Sequence, residues 1–378
     1  MKNNSGGTSS SFSFWKVLVP VLLGVGVVAL MFWHDARKED FSAIWRGIHF
    51  DARVVFCIIF GFLCMFGRDY GLTWRFRALT DRKLSWRQAW NVDMLCEFTN
   101  CITPSAVGGS SLGMVFLNSQ GIEIGRATTL MLTTLFMDEL FFVIACPFIV
   151  LFTDSADLFA SGGGTFSHGI KYTFWFVYSL IAVWTFILFL GIIWKPKWIS
   201  KVLGKISGWK FLRKWSAQIS GLGVNMVATS KEFRTKPFGF WLEVFCGTAL
   251  SWTSRYLVVN VLFLGFLPAD DRYQWIILAR QFVIWVVLMV SPTPGGAGLS
   301  EWLFSEYYGD LIGTAGMALI LAVFWRIITY YLYLLIGALV VPGWLRTTFS
   351  HIHKSGKGAD TGIKETVNNN QKKENIKA

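Results

Sequence analysis

Ten charged residues stand in apolar or motif-bearing stretches of this chain: Asp93, Glu97, Arg126, Asp138, Glu139, Glu243, Arg255, Arg280, Glu301 and Arg326. A charge inside a membrane segment costs roughly 2.5–3.5 kcal/mol on insertion scales, so each marks a functional candidate. Arg126 falls near an interface, as do Arg68, Asp69 and Glu123, and these count for less. Two glycine-rich motifs accompany the charges. One reads Thr103-Pro104-Ser105-Ala106-Val107-Gly108-Gly109, the other Ser291-Pro292-Thr293-Pro294-Gly295-Gly296-Ala297-Gly298. Pro292 and Pro294 lack backbone donors and break a helix. Gly295, Gly296 and Gly298 allow tight turns and close helix approach. The half-helix after each motif is expected to aim free N–H groups at a cavity, which suits a phosphate. Ser110 and Ser111 add hydroxyl donors after Gly108 and Gly109. Glu301 follows the second motif. It either stabilises the helix dipole or receives a cationic headgroup or a proton, and the sequence leaves these open.

The two motifs belong to a longer pattern. Gly108 and Gly295 lie 187 residues apart, and at that offset Arg68 meets Arg255, Gly109 meets Gly296 and Leu112 meets Leu299. Asp93 likewise meets Arg280, and Glu139 meets Arg326. Several matches at one offset imply an internal duplication. Helices broken at corresponding Pro/Gly points of two halves point to a transporter site near the bilayer midplane. Opposite charges at equivalent places either pair as buried salt bridges or line a polar cavity for a charged headgroup. Glu139 and Arg326 are the expected contact.

Positioning such residues needs a membrane bundle. The chain is 53% hydrophobic and only 15% charged, whereas a soluble domain carries about a quarter charged residues. The net charge of +12 comes from Lys and Arg in loops, where the positive-inside rule places them, so nucleic acid is not implied. Six cysteines form no Cys-x-x-Cys pair, and they read as buried free thiols. His351 and His353 form a lone His-x-His, too little for a metal site. Apolar stretches long enough to span lie near 15–33, 53–74, 124–152, 172–194, 237–266 and 311–342.

Loop charge sets their orientation. Segments 68–87 and 195–236 carry six and ten Lys/Arg, and the tail from 343 carries seven. Segments 34–53, 153–171 and 268–274 are neutral or acidic. The basic set is expected in the cytoplasm with both termini, the other set outside. Parity then makes 88–120 enter and leave from the cytoplasmic side and 275–308 from the outside. The reading is an all-α polytopic membrane protein of two inverted repeats, each with a re-entrant Gly/Pro-broken helical hairpin. Residues 1–14 form a cytoplasmic tail, 15–345 the membrane domain, and 346–378 a disordered cytoplasmic tail. Within 195–236, Trp198, Ile199, Val202, Leu203 and Ile206 share one helical face and Lys197, Lys201 and Lys205 another. That pattern suits an interfacial helix on anionic lipid, against the plainer reading of a basic linker.

The run from Pro292 to Glu301 resembles the P-x-PGG-x-G-x-x-E signature of a flippase-like family related to the transmembrane part of lysylphosphatidylglycerol synthases. Pro104, Gly108 and Gly109, followed by Gly121-Ile122 and Asp138, are similar to that family's first-half pattern. The resemblance covers roughly 15–345 and implies movement of lipids with charged or glycosylated headgroups, such as aminoacylated phospholipids or polyprenyl-linked lipids, in the plasma membrane. Some relatives carry an acid or arginine where Ser110 and Ser111 stand. Synthesising relatives have a large cytosolic domain where this chain has a short polar tail, so the expectation is a non-enzyme without cofactor. Taken together with the charges and the offset, the candidate site set is Pro104, Gly108, Gly109, Ser110, Ser111, Asp138, Glu139, Arg255, Arg280, Pro292, Pro294, Gly295, Gly296, Gly298, Glu301 and Arg326. The competing functions are a non-catalytic partner of a separate lipid or glycan synthase, and an intramembrane headgroup transferase. No His/Asp/Glu cluster with catalytic spacing favours the latter.

Overall fold

The computed structural model describes residues 50–103, 108–159, 165–194, 227–268, 272–289, 291, 293, 295–337 and 339–340, with Lys197, Lys201 and Lys205. The apolar stretch 15–33, both tails, and Pro104, Pro292 and Pro294 lie outside them, as does the apolar face around Trp198. Lys197, Lys201 and Lys205 are each helical and exposed. Everything regular among the described residues is helical.

The helices are α1 (Ala52–Leu79), α2 (Trp86–Ile102), α3 (Gly108–Ser119), α4 (Ile124–Phe152), α5 (Ser155–Phe159) and α6 (Thr165–Phe189). Then come α7 (Phe238–Phe266), α8 (Arg272–Leu288), α9 (Leu299–Ile312) and α10 (Ala315–Arg326). A wider π turn, Ile327–Tyr331, continues α10. Five described helical stretches are long and apolar enough to cross a membrane: Ala52–Leu79, Ile124–Phe152, His168–Trp194, Phe238–Phe266 and Gly316–Gly337. They correspond to five of the six sequence-predicted spans, the last being shorter at both ends than 311–342. The first runs on to Leu79 and so takes in Arg75, and Arg68, Asp69 and Arg75 are all buried in it. They are tolerated there because acids on neighbouring helices neutralise the arginines.

Local chemistry sets the ends. The Asp51 carboxylate accepts from Val54 N–H at 2.9 Å and starts α1. Ser85 and Gln88 form a reciprocal capping box at the start of α2. On α4, Thr129 and Thr133 donate to carbonyls four residues back, so their hydroxyls need no partner from lipid.

The long helices α1 and α7 are counterparts at the 187-residue offset and pack antiparallel. Cys57 meets Gly265, Gly67 meets Ser254, and Gly71 meets Gly247. A Cβ at Gly71 would stand 2.6 Å from the Gly247 carbonyl oxygen, so only glycine permits this approach. Arg53 at the start of α1 donates to the Leu267 carbonyl at the end of α7, 2.9 Å. Gly67 and Ser254 are themselves offset counterparts, so the two helices cross at equivalent positions.

The α2–α3 pair starts and finishes in one place. Asp81, before α2, bonds Arg126, after α3, at 2.8 Å. Asp81 also meets Lys236, and Arg126 meets Glu232 at 2.8 Å. The α8–α9 pair behaves likewise: Arg280 bonds Asp310 at 2.5 Å, and Tyr308 Oη donates to the Ile277 carbonyl at 2.9 Å. The far tips of the two pairs meet. Gly295 N–H donates to the Thr103 carbonyl at 3.4 Å, and Tyr330 Oη to the Cys101 carbonyl at 3.1 Å.

The Asp81 network makes a pH prediction. Partial burial would raise the Asp81 carboxyl, but bonding to Lys236 and the charge of Arg126 outweigh it and hold it below the ordinary carboxylate range. A depressed carboxylate contributes stability above its unfolded value, about 3.9, and loses it as pH falls through the lower folded value. Asp81 sits at φ 53°, a region Asn also tolerates. Asp81→Asn is expected to lower the melting temperature at neutral pH by an amount worth about 0.2–1 kcal/mol per exposed pair. The deficit should shrink in acid and in high salt, as thermal unfolding against pH would show.

Candidate functional site

A cavity of about 220 Å³ lies where α1, α2, α4, α7, α8, α10 and the Gly295-Gly296 tip converge. Its lining carries four arginines (Arg68, Arg75, Arg255, Arg326) and four acids (Asp93, Glu97, Asp138, Glu139). Such a density of charge in an apolar bundle is expensive and is characteristic of substrate and ion pathways.

Most of the charge is neutralised within the protein. On α1, Arg68 bonds Glu97 at 2.5 Å and Asp69 at 2.7 Å, and Tyr333 Oη donates to Asp69 at 2.8 Å. Two turns further along α1, Arg75 bonds Asp138 at 2.5 Å and donates to Thr248 at 3.1 Å. Trp252 Nε1 also donates to Asp138, at 2.8 Å. Arg326, at the end of α10, bonds Glu301 at 2.9 Å and donates to the Gly295 carbonyl at 3.2 Å. Its guanidinium lies 3.8 Å from the Tyr330 ring centroid. Glu301, fully buried, accepts from Gly298 N–H and Ser300 Oγ, each at 2.8 Å.

Of the eight charged groups bordering the cavity, three have no ion pair among the described residues. Asp93 and Glu139 are buried, and Asp93 Oδ2 and Glu139 Oε2 have no hydrogen-bond donor. Arg255 lies 5.1 Å from the Trp285 ring centroid and makes no ion pair or hydrogen bond among the described residues.

Of the sequence-derived set, Asp138, Glu139, Arg255, Gly295, Gly296 and Arg326 border this one cavity. Gly298 and Glu301 stand behind Arg326. Gly108 and Gly109 open α3, as do Ser110 and Ser111, with side chains outside the described residues. Three expectations are corrected. Glu139 and Arg326 do not pair, because Glu301 already occupies Arg326. The α9 N-terminus does not present a free Gly298 N–H, because Glu301 folds back onto it, so Glu301 serves the helix end. Arg280 does not border the cavity; it ties Asp310 to the carbonyls of Asp157 and Tyr307 at the opposite end from Asp81. Arg75 was missed. Its signal was the seven-residue spacing from Arg68, which keeps both on one face of a helix.

A family model described as Lysylphosphatidylglycerol synthase TM region matches residues 21–337. A protein described as a UPF0104 membrane protein, from Archaeoglobus fulgidus, is 23% identical over 336 residues, covering 86% of this chain and 95% of that one. No solved structure matches.

Proposed function

The chain belongs to the lysylphosphatidylglycerol synthase TM-region family, and on that premise we propose that it moves a lipid with a charged or glycosylated headgroup between leaflets. Aminoacylated phospholipids and polyprenyl-linked lipids are the substrate classes this reading covers. The observation that carries it is the cavity: charges without ion-pair partners among the described residues, close to where the α2–α3 and α8–α9 pairs touch at Thr103 and Gly295. A packing kink needs no such charges. A headgroup in transit does, because it must exchange its hydration for fixed polar groups.

The inverted repeat belongs to the same proposal. Counterpart helices α1 and α7 run antiparallel and cross at counterpart residues, which a two-fold axis in the membrane plane would produce. The two hairpins then enter from opposite faces, with the Asp81 network cytoplasmic and the Arg280 network external. Non-helical backbone such as that of residues 295–298 survives at membrane depth only when buried in protein or bordering a cavity. In the plasma membrane, both termini are cytoplasmic.

Topology tests one half of the reading. Single cysteines near 40, 160 and 270 should label from outside with an impermeant thiol reagent, and those near 80 and 215 only after permeabilisation. Outside labelling at 215 would break the inverted arrangement. Vesicles test the other half. Purified protein in liposomes carrying an aminoacylated phospholipid on the inner leaflet should expose its amine to an impermeant amine reagent. Liposomes without protein should not.

A further inference from the structure

Among the cavity's charged residues, Arg68 with Arg255 and Glu139 with Arg326 are counterparts at the 187-residue offset, and of the two matched arginines only Arg68 has an ion pair among the described residues. Arg68 is held by Asp69 and Glu97. Its counterpart is Arg255, and where partners would stand the chain has Tyr256 and Ile284. The second half has thus kept the guanidinium without its anions. Arg255 makes no ion pair or hydrogen bond among the described residues. Its electrostatic neighbours are Arg68 first and then Glu97, which Arg68 already binds at 2.5 Å.

Two further donors on this wall lack acceptors. Tyr256 Oη and Trp285 Nε1 are buried without a hydrogen-bond partner, and both residues border the cavity. An indole N–H can only donate, and so can a guanidinium. The carboxylate oxygens left over at the cavity, Asp93 Oδ2 and Glu139 Oε2, belong to α2 and α4 instead. The α7–α8 wall is therefore a set of donors, one of them cationic, awaiting an anionic acceptor.

We propose that Arg255, with Tyr256 and Trp285, is the anion-binding wall of the cavity and takes the phosphate of a phospholipid headgroup. Arginine fits because its planar fork meets phosphate with two parallel hydrogen bonds. This deepens the translocation reading and rests on it for the meaning of occupancy, though not for binding itself.

The test uses purified full-length protein in detergent, with three probes: short-chain phosphatidylglycerol, short-chain diacylglycerol and inorganic phosphate. Thermal unfolding and tryptophan fluorescence report binding. Phosphatidylglycerol should stabilise the wild type and diacylglycerol should not. Arg255→Gln should weaken phosphatidylglycerol binding roughly 10–100-fold, the size of a charge-assisted hydrogen bond, and Arg255→Lys should recover part of it. Should Arg255→Gln fail to fold, Trp285→Phe removes the N–H while keeping a ring, and it should also weaken binding. Unchanged binding in a folded Arg255→Gln, or in Trp285→Phe where that variant stands in, overturns the assignment. So does equal stabilisation by diacylglycerol. Equal stabilisation by inorganic phosphate would make the ligand a free anion and overturn the lipid assignment. Lipid movement separates the two ideas. Movement with Arg255-independent binding sinks this site alone; Arg255-dependent binding without movement sinks translocation alone.

Discussion

Replacing Arg326 with glutamine is expected to destabilise the protein by about 3–5 kcal/mol, the cost of leaving one member of a buried ion pair alone. The reason is Glu301. It is fully buried, bonded to Arg326 at 2.9 Å, and it also closes the α9 N-terminus at Gly298. Without the guanidinium its charge has no counter-ion. The double variant Glu301→Gln/Arg326→Gln should recover much of the loss, because a glutamine carbonyl can still accept from Gly298 N–H. Glu139→Gln should behave differently. Glu139 has no ion pair to lose, and its Oε2 has no donor, so the folded state should melt at or above the wild-type temperature. A double-mutant cycle by thermal unfolding should therefore show strong coupling for Glu301 with Arg326 and additivity for Glu139 with Arg326.

The second large effect is expected at Gly295. Its φ of 56° lies in the left-handed region, where a non-glycine residue costs roughly 1–2 kcal/mol. A Cβ there would also stand 2.2 Å from Tyr330 Cε2. That ring cannot yield freely: its hydroxyl holds the Cys101 carbonyl at 3.1 Å and its face lies under Arg326. Gly296 provides the control. Its φ is 71°, yet a Cβ there would meet nothing closer than 3.8 Å. Gly296→Ala should cost only the backbone strain. Gly295→Ala should add about 1–3 kcal/mol of overpacking and part the two tips where Gly295 N–H meets the Thr103 carbonyl. Equal melting temperatures for the two variants would show that the tip contact is slack.

The spans were legible in the sequence because they depend on local composition. The stretch 124–152 coincides with α4, and 237–266 differs from α7 by one residue. The helix order α1–α4 is followed by a similar order, α7–α10, displaced by about the 187-residue offset read in the sequence. Ion-pair partners were not legible. Equivalent positions suggested Glu139 opposite Arg326, but a partner is chosen by how helices cross. The nearer carboxylate came from Glu301, three residues into the half-helix after Gly298. That spacing was readable as a helix-end cap. Arg75 was hidden because hydropathy alone ended the first span at 74, ahead of an arginine that Asp138 neutralises. Arg280 was misplaced because a shared offset says nothing about depth.

The most direct measurement is leaflet exchange of a fluorescent phospholipid in proteoliposomes, read by an impermeant bleaching reagent. With wild-type protein, bleaching should proceed past the outer-leaflet share toward completion. With Glu139→Gln, which should be folded but lacks the cavity carboxylate, it should slow markedly. Bleaching that stops at the outer leaflet with wild-type protein, across charged and glycosylated headgroups alike, would contradict the account. So would Glu139→Gln moving lipid as fast as the wild type.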